Sequence, residues 1–279
     1  MKKLFFFLSL ICLCVSCSIA EENYSVENNA EETVTLNFNP YIIETITRGA
    51  ISEVTGIKRL DIFVIEGTNV TEIHQVNTEE GFGSASITLN KIKTYTLIAL
   101  AHKADAAVTY SNGLISYPEN KVKDTFYYKN TFTPSTTTEL SCEMHRIVGQ
   151  FSLETTDVVP EGVVNFRLTV YDSHNKWNTS NDAAANTTNQ IANFANFSKK
   201  NDGTVAFSTN ILSTSEGTNF TIKAEGLNSD NEVIQEMTFT NVPIRNGYKT
   251  IYRGAFFNVS LALGFTGLAD WQSLNTTEF

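Results

Sequence analysis

The sequence predicts an all-β protein built from β-sandwiches. Many short runs alternate apolar and polar residues, turn-rich stretches separate these runs, and hardly any segment has a helical period. The composition agrees, because 19 Phe and 10 Tyr against only 5 Pro favour strands. With 42% apolar and 18% charged residues, the 279-residue chain can form a packed core.

Residues 1–16 are predicted to be a secretion signal. Lys2 and Lys3 precede an apolar run of twelve residues, from Leu4 to Val15. A stable membrane span needs about twenty apolar residues, so this run is too short to be one. Its length and its cationic start are typical of a signal peptide.

Cys17 is predicted to be a lipid acceptor. Small Ser16 precedes it, as in a lipobox, whereas bulky Leu13 precedes Cys14. Cleavage before Cys17 would leave an acylated, palmitate-bearing N-terminal cysteine. Cleavage nearby without a lipid is the alternative.

The mature chain would be acidic and would contain one further cysteine. Removal of residues 1–16 takes away two lysines and no acids, which leaves a formal net charge of −12. This charge argues against nucleic acid as a partner. Cys142 has no second cysteine for a disulfide or a thiolate metal site, so we interpret it as a buried small hydrophobe.

Two β-sandwich domains of comparable size are expected after an acidic tether at residues 17–32. We place the first domain at 33–140 and the second at 141–279. The predicted strands contain the following apolar residues or runs: Val34, Leu36 and Phe38; Ile57 to Ile65; Ile87 and Leu89; Tyr95 to Ala101; Ile147, Phe151 and Leu153; Phe166, Leu168 and Val170; Val205 and Phe207; Phe220 and Ile222; Met237 and Phe239.

An asparagine-rich stretch at 172–203 interrupts this pattern, with eight asparagines. Within it, Ala183 to Phe197 is expected to be a short helix, in which Ile191, Phe194 and Ala195 share a face. The stretch is interpreted as a variable surface insertion, with a recognition loop as the alternative.

No catalytic, cofactor-binding or metal-binding motif is found, and the protein is predicted not to be an enzyme. The four histidines, at 74, 102, 145 and 174, form no HxH or HExxH pattern. Gly81 to Ser84 is interpreted as a turn, and His145 with Arg146 as a structural pair. A hydrolase whose groups converge only in three dimensions remains an alternative.

The C-terminal region has one strongly one-sided strand pattern. Large apolar residues alternate with small ones and mark a candidate donor strand: Phe257, Val259, Leu261, Leu263 and Phe265. Such a strand can complete its own sheet or that of a neighbouring molecule.

Arg48 followed by Gly49 is a candidate proteolytic site just after the first predicted strand. A cut there would release the strand containing Val34, Leu36 and Phe38. The sheet edge that this loss exposes could recruit another strand.

These features together resemble the fimbrillins of the Bacteroidetes, namely FimA-like fimbrial subunits, with a related FimB-type anchor group. The resemblance rests on the lipobox at Cys17, the segment around Arg48, IKRLDIFVIEG, YTLIALAH, Glu143 to Leu153 and a closing region with Trp271. It implies two transthyretin-like Greek-key sandwiches. It also implies export to the outer membrane and cell surface, trimming after Arg48, and polymerisation with other fimbrial subunits through a strand at 257–265 or the tail to Phe279.

Two further functions are left open. A FimB-type anchor would keep the lipid on Cys17 and hold the fimbria at the membrane. A monomeric glycan-binding lipoprotein would use exposed aromatic residues of the 172–203 stretch, such as Trp177 and Phe197, to stack on sugar rings. In either role the protein could contact a host or bacterial surface ligand.

Overall fold

The computed structural model describes residues 32–44, 47–54, 56–136, 139–258 and 264–270. Strands dominate these residues, with two short 3-10 helices at Ile51–Glu53 and Pro118–Asn120 and no α-helix. No helix among them has the length and apolar character needed to cross a membrane. The all-β prediction is confirmed. The signal and Cys17 lie outside the described residues.

Eighteen strands make up the described chain. In chain order they are β1 (Thr33–Glu44), β2 (Thr47–Ala50), β3 (Arg59–Glu66), β4 (Asn69–Val76), β5 (Ala85–Asn90), β6 (Tyr95–His102), β7 (Thr109–Ser111), β8 (Leu114–Ser116), β9 (Thr125–Phe132), β10 (Glu139–Arg146), β11 (Val148–Thr155), β12 (Asn165–Asn178), β13 (Ala183–Ala195), β14 (Ala206–Leu212), β15 (Thr218–Leu227), β16 (Val233–Ile244), β17 (Tyr248–Gly254) and β18 (Gly264–Asp270).

The first half of the chain forms a folded sheet in the order β2-β1-β10-β9-β6-β3-β4, with β5 also paired to β1. The sheet turns at β10, whose first six residues pair with β1 and whose last two pair with β9. Its inner faces enclose the first core: Leu36, Phe38, Ile42, Ile51, Ile57, Leu60, Ile62, Val64, Leu89, Tyr95, Leu97, Ala99, Ala101, Phe126, Cys142 and Met144.

The second half contains two sheets. One has the order β14-β11-β17-β18, and the other has the order β16-β15-β12-β8-β7 with β13 also paired to β12. Aromatic side chains fill the space between them, including Phe166 and Phe207, which stack with ring centroids 3.9 Å apart. Phe151, Leu168, Ile222 and Ile244 complete the centre of this second core.

A third cluster of buried residues joins the two halves. Strands β7 and β8 belong to the first half of the sequence, yet β8 pairs with β12 of the second half and β7 pairs with β8. The cluster consists of Phe63, Ile98, Leu100, Val108, Ile115, Tyr117, Val122, Tyr127, Ile147, Val148, Trp177 and Leu212. The described residues from Glu32 onward accordingly form one compact unit. The boundary expected between residues 140 and 141 lies within β10, so no free linker separates the halves.

The expected helix at 183–197 is wrong, because this segment forms β13. Strand β12 supplies the backbone partner, with Thr169 opposite Ile191 and Phe166 opposite Phe194. Gln190 is buried while Ile191 is 49% exposed, as the two-residue period of a strand requires. Ala and Asn make up most of this segment and are depleted in strands, so pairing with β12 decides its conformation.

A polar network is buried in the first half around Asp61, whose side chain is inaccessible to solvent. Its carboxylate lies 2.8 Å from His102 Nε2 and 3.0 Å from His74 Nδ1, and it accepts the N–H of Val108 at 2.8 Å. Burial alone would raise the pKa of Asp61, but the contacts with His102, His74 and Val108 lower it overall. The network ties β3, β4 and β6 to the following loop.

Replacing Asp61 with Ala should destabilise the protein by about 3–5 kcal/mol, because it leaves buried partners without their acceptor. Urea unfolding measures this loss. Because the pKa of Asp61 is lowered by folding, its contribution is present above the unfolded-state pKa of about 4 and is lost as the pH falls through the folded-state value. Asp105→Ala, which removes an exposed partner of Lys58, is the control and should leave stability unchanged. If Asp61→Ala changed the free energy of unfolding as little as Asp105→Ala, the network would not contribute to stability.

Candidate functional site

Strand β1 lies inside the first sheet. On one side, Asn37 to Ile42 pair in parallel with Glu139 to Met144 of β10. On the other side, β1 pairs antiparallel with β5 and then with β2. The N-terminal strand therefore fills a position between strands that come from distant parts of the sequence.

The inner face of β1 supplies much of the first core. Leu36, Phe38 and Ile42 each have at most 1% of their surface exposed. At about 1.5–3 kcal/mol for each buried side chain, these three contribute roughly 5–9 kcal/mol, as an upper bound. Loss of β1 would leave an apolar groove flanked by unpaired backbone edges.

The outer face of β1 is held by polar contacts that set its register. Asn37 and Asn39 donate to the two carboxylate oxygens of Glu139, at 2.8 and 2.6 Å. Ser86 of β5 donates to Asn37 at 2.7 Å. These side chains link β1 to both neighbouring strands, so a shift of its register would break contacts on each side.

The candidate cleavage site lies in β2, where Arg48 pairs with Ile43 of β1. Gly49 follows, and the strand ends at Ala50. A cut after Arg48 would separate the whole of β1 from the rest of the sheet. Cleavage there stays a prediction.

The candidate donor residues fall into three places. Phe257 follows β17 in a bend, Phe265 belongs to β18, and Val259, Leu261 and Leu263 lie outside the described residues. Strand β18 runs antiparallel to β17 at the edge of its sheet. The chain thus returns along β17 after the bend.

The predicted sugar-stacking surface is wrong for Trp177. Its side chain is only 2% exposed and packs edge-on against Tyr127, with ring centroids 5.6 Å apart. Phe197 is half-buried and meets the ring of Phe207 at 5.0 Å. The alternation of β12 turns Trp177 inward, which the asparagine-rich composition around it does not indicate.

One cleft in the described part of the chain has a mixed polar and apolar lining. It has a volume of about 240 Å³ and lies between the edge strands β13 and β14, where Lys121, Gln190, Ile191, Phe194 and Asn210 contribute to it. No group of three or more His, Cys, Asp and Glu side chains within the described ranges is arranged to hold a metal ion.

Three narrower sequence interpretations can be compared with the structure. Arg146 donates to Asp124 at 2.8 Å and covers the ring of Phe126, and desolvation lowers the pKa of the neighbouring His145. Cys142 is buried, which raises the pKa of its thiol to about 12. The segment 81–84 contains a turn. These observations agree with the structural roles expected for Arg146, Cys142 and the turn.

The Asp61 network is a group of residues that the sequence analysis missed. His74 and His102 are far apart in the sequence, and only the pairing of β3 with β4 and β6 brings both to Asp61. No short motif marks such a cluster.

Shortening Phe38 should show how far the first core depends on β1. We expect Phe38→Ala to lower the free energy of unfolding by about 3–5 kcal/mol, because a large buried side chain leaves a cavity. Thr35→Ala alters the exposed face of the same strand and should change stability by less than about 0.5 kcal/mol. Equal effects in chemical denaturation would contradict the packing role of β1.

Several solved structures share this fold. A candidate cell adhesion protein from Bacteroides ovatus is 14% identical, with a TM-score of 0.51 and coverage of 86% of this chain and 98% of that one. A candidate adhesin from Bacteroides thetaiotaomicron is 9% identical, with a TM-score of 0.52 and coverage of 85% and 98%. A candidate polysaccharide binding protein from the same organism is 8% identical, with a TM-score of 0.53 and coverage of 87% and 99%. At these identities the likeness concerns the fold alone.

No curated protein sequence is significantly similar to this chain. A family model described as a family of unknown function (DUF6562) matches residues 106–267, from just before β7 into β18. This range is more than half of the 279-residue chain. The chain therefore belongs to the family of unknown function DUF6562.

Proposed function

We propose that this protein is a structural, non-enzymatic subunit of a cell-surface fimbria, in the shaft or at the tip, and that it supports adhesion. The position of β1 is the main support for this proposal. Strand β1 ends at Glu44, shortly before Arg48, and it lies between β10 and β5. The resemblance to fimbrillins supports the same assignment. So does a fold shared with candidate adhesins of Bacteroides species.

Assembly would proceed by strand exchange. Cleavage after Arg48 would cut the chain between β1 and the rest of the molecule, so that β1 could leave. The C-terminal segment of a neighbouring subunit would then enter the groove, with backbone hydrogen bonds along β10 and alternate side chains in the vacated pockets. Burying the alternate apolar side chains would contribute on the order of ten kcal/mol before ordering costs.

An anchor subunit that keeps its lipid on Cys17 is the second candidate. One observation favours it: Arg48 lies in a paired strand, whereas proteases prefer exposed, unpaired loops. In the anchor role β1 would stay in place, and the subunit would join the outer membrane to the other fimbrial subunits.

Replacing Leu261 and Leu263 together with Asp should abolish fibres, because charged side chains cannot enter apolar pockets. Electron microscopy of material from the cell surface reads out fibre formation. Val158→Asp together with Ile92→Asp introduces the same two charges at exposed sites, 65% and 83% accessible, and should leave fibres intact. Normal fibres from the Leu261 and Leu263 double variant would exclude this segment as the donor.

N-terminal sequencing of the protein isolated from the cell surface should give a chain that starts at Gly49. Arg48→Ala should keep the precursor uncut and monomeric in size-exclusion chromatography, while the wild type forms oligomers after limited trypsin treatment. A blocked, acylated Cys17 in the assembled fibre would instead support the anchor. An uncut protein that stays monomeric and is absent from the isolated fibres would contradict both roles.

A further inference from the structure

We infer that Asp157 clamps the bend at residues 256–258, so that this bend is not part of the segment that is exchanged. This inference rests on the proposed function and concerns which residues stay with the body of the protein. Phe257, the first residue of the candidate donor pattern, then belongs to the fixed body of the protein.

The carboxylate of Asp157 holds three successive backbone N–H groups. Phe256 donates to Oδ1 at 2.9 Å, and Phe257 and Asn258 each donate to Oδ2 at 2.6 Å. Successive N–H groups that point to one side form an anion-binding concavity, and bonds to an ionised acceptor are stronger than neutral ones. One side chain thus fixes the backbone of the whole bend.

The backbone next to Asp157 is held by strand pairing. It follows β11 by two residues, and the N–H of Thr156 donates to the carbonyl of Gly254 at 2.9 Å. Gly254 is the last residue of β17, which pairs in parallel with β11 up to Thr155. The contacts between the Asp157 carboxylate and the bend, which we call the Asp157 clamp, therefore link the two chain segments beyond the end of β11 and β17.

Side-chain packing holds the same bend. Phe256 is fully buried and meets Phe166 at a centroid distance of 5.2 Å. The Phe257 ring packs on Phe256 at 4.9 Å and lies close to the backbone of Gly226, where an added Cβ would be 3.1 Å from it. Removing Phe257 from this position would therefore disturb the second core.

The strand beyond the bend has a single backbone pairing among the described residues. Among the described residues, β18 pairs only with β17, and it forms the edge of the sheet. Glycines at 264 and 267 weaken it, and its register shifts opposite Ile251 and Tyr252. Detachment of β18 breaks its pairing with β17, whereas detachment of the bend breaks the Asp157 contacts and exposes Phe256.

Amide-resolved hydrogen exchange of the full chain tests this difference directly. In the wild type, the amides of Phe256, Phe257 and Asn258 should exchange at least about tenfold more slowly than those of residues 264–270. Asp157→Asn should raise exchange at Phe257 and Asn258 at least about tenfold, because the amide group replaces one accepting oxygen. The urea midpoint should stay close to that of the wild type.

Glu79→Gln is the matched control. Glu79 also accepts a backbone N–H in a turn, from Val76 at 3.0 Å, but it follows β4 in the other half of the molecule. This variant should leave exchange at 256–258 unchanged. Equal exchange of 256–258 and 264–270 in the wild type would overturn the inference. So would faster exchange throughout the second half in Asp157→Asn, with a lower urea midpoint, since Asp157 would then serve general stability.

The assembled polymer separates this inference from the proposed function. In the polymer, exchange at 264–270 should change while 256–258 stay protected. If no polymer forms, the proposed function fails, and the comparison of the two variants in the monomer still decides the role of Asp157. If a polymer forms with 256–258 unprotected, strand exchange stands and the Asp157 clamp is excluded.

Discussion

The burial of β1 between β10 and β5 is the constraint on which the first half of the molecule depends. Leu36, Phe38 and Ile42 enter a core whose other walls come from later in the chain. Pairing with β10 joins residues about a hundred positions apart. The first core is therefore complete only when the N-terminal strand is in place, and any event that removes this strand changes the surface of the protein.

The two halves are joined by packing. Strand β8, from the first half of the sequence, pairs with β12 and carries β7 beside it, and Tyr127 and Trp177 meet in the cluster between the halves. A continuous core of this kind resists independent motion of the halves. Force or strain applied at β1 would consequently be passed to the second sandwich through packed side chains rather than through a flexible tether.

Carboxylates fix the irregular parts of this acidic protein. Asp61 contacts two histidines and accepts a backbone N–H from the loop before β7. Asp157 accepts three backbone N–H groups just after β17. In both places a negative charge satisfies polar groups that no strand pairing reaches. The two clusters lie in different halves, so each half is stabilised by a hydrogen-bonded carboxylate in addition to its apolar core.

The sequence by itself determined the strands whose apolar residues alternate or run continuously, such as β1, β3, β6 and β12, because the two-residue period is a local property of the chain. It also indicated that Cys142 is buried and that Arg146 is structural. It could not determine β13, whose weak propensity is overridden by pairing with β12, or the inward position of Trp177. Nor could it bring His74 and His102 to Asp61, or Asp157 to the bend after β17. Those arrangements depend on partners distant in sequence, and only the tertiary structure, through sheet register and packing, decided them.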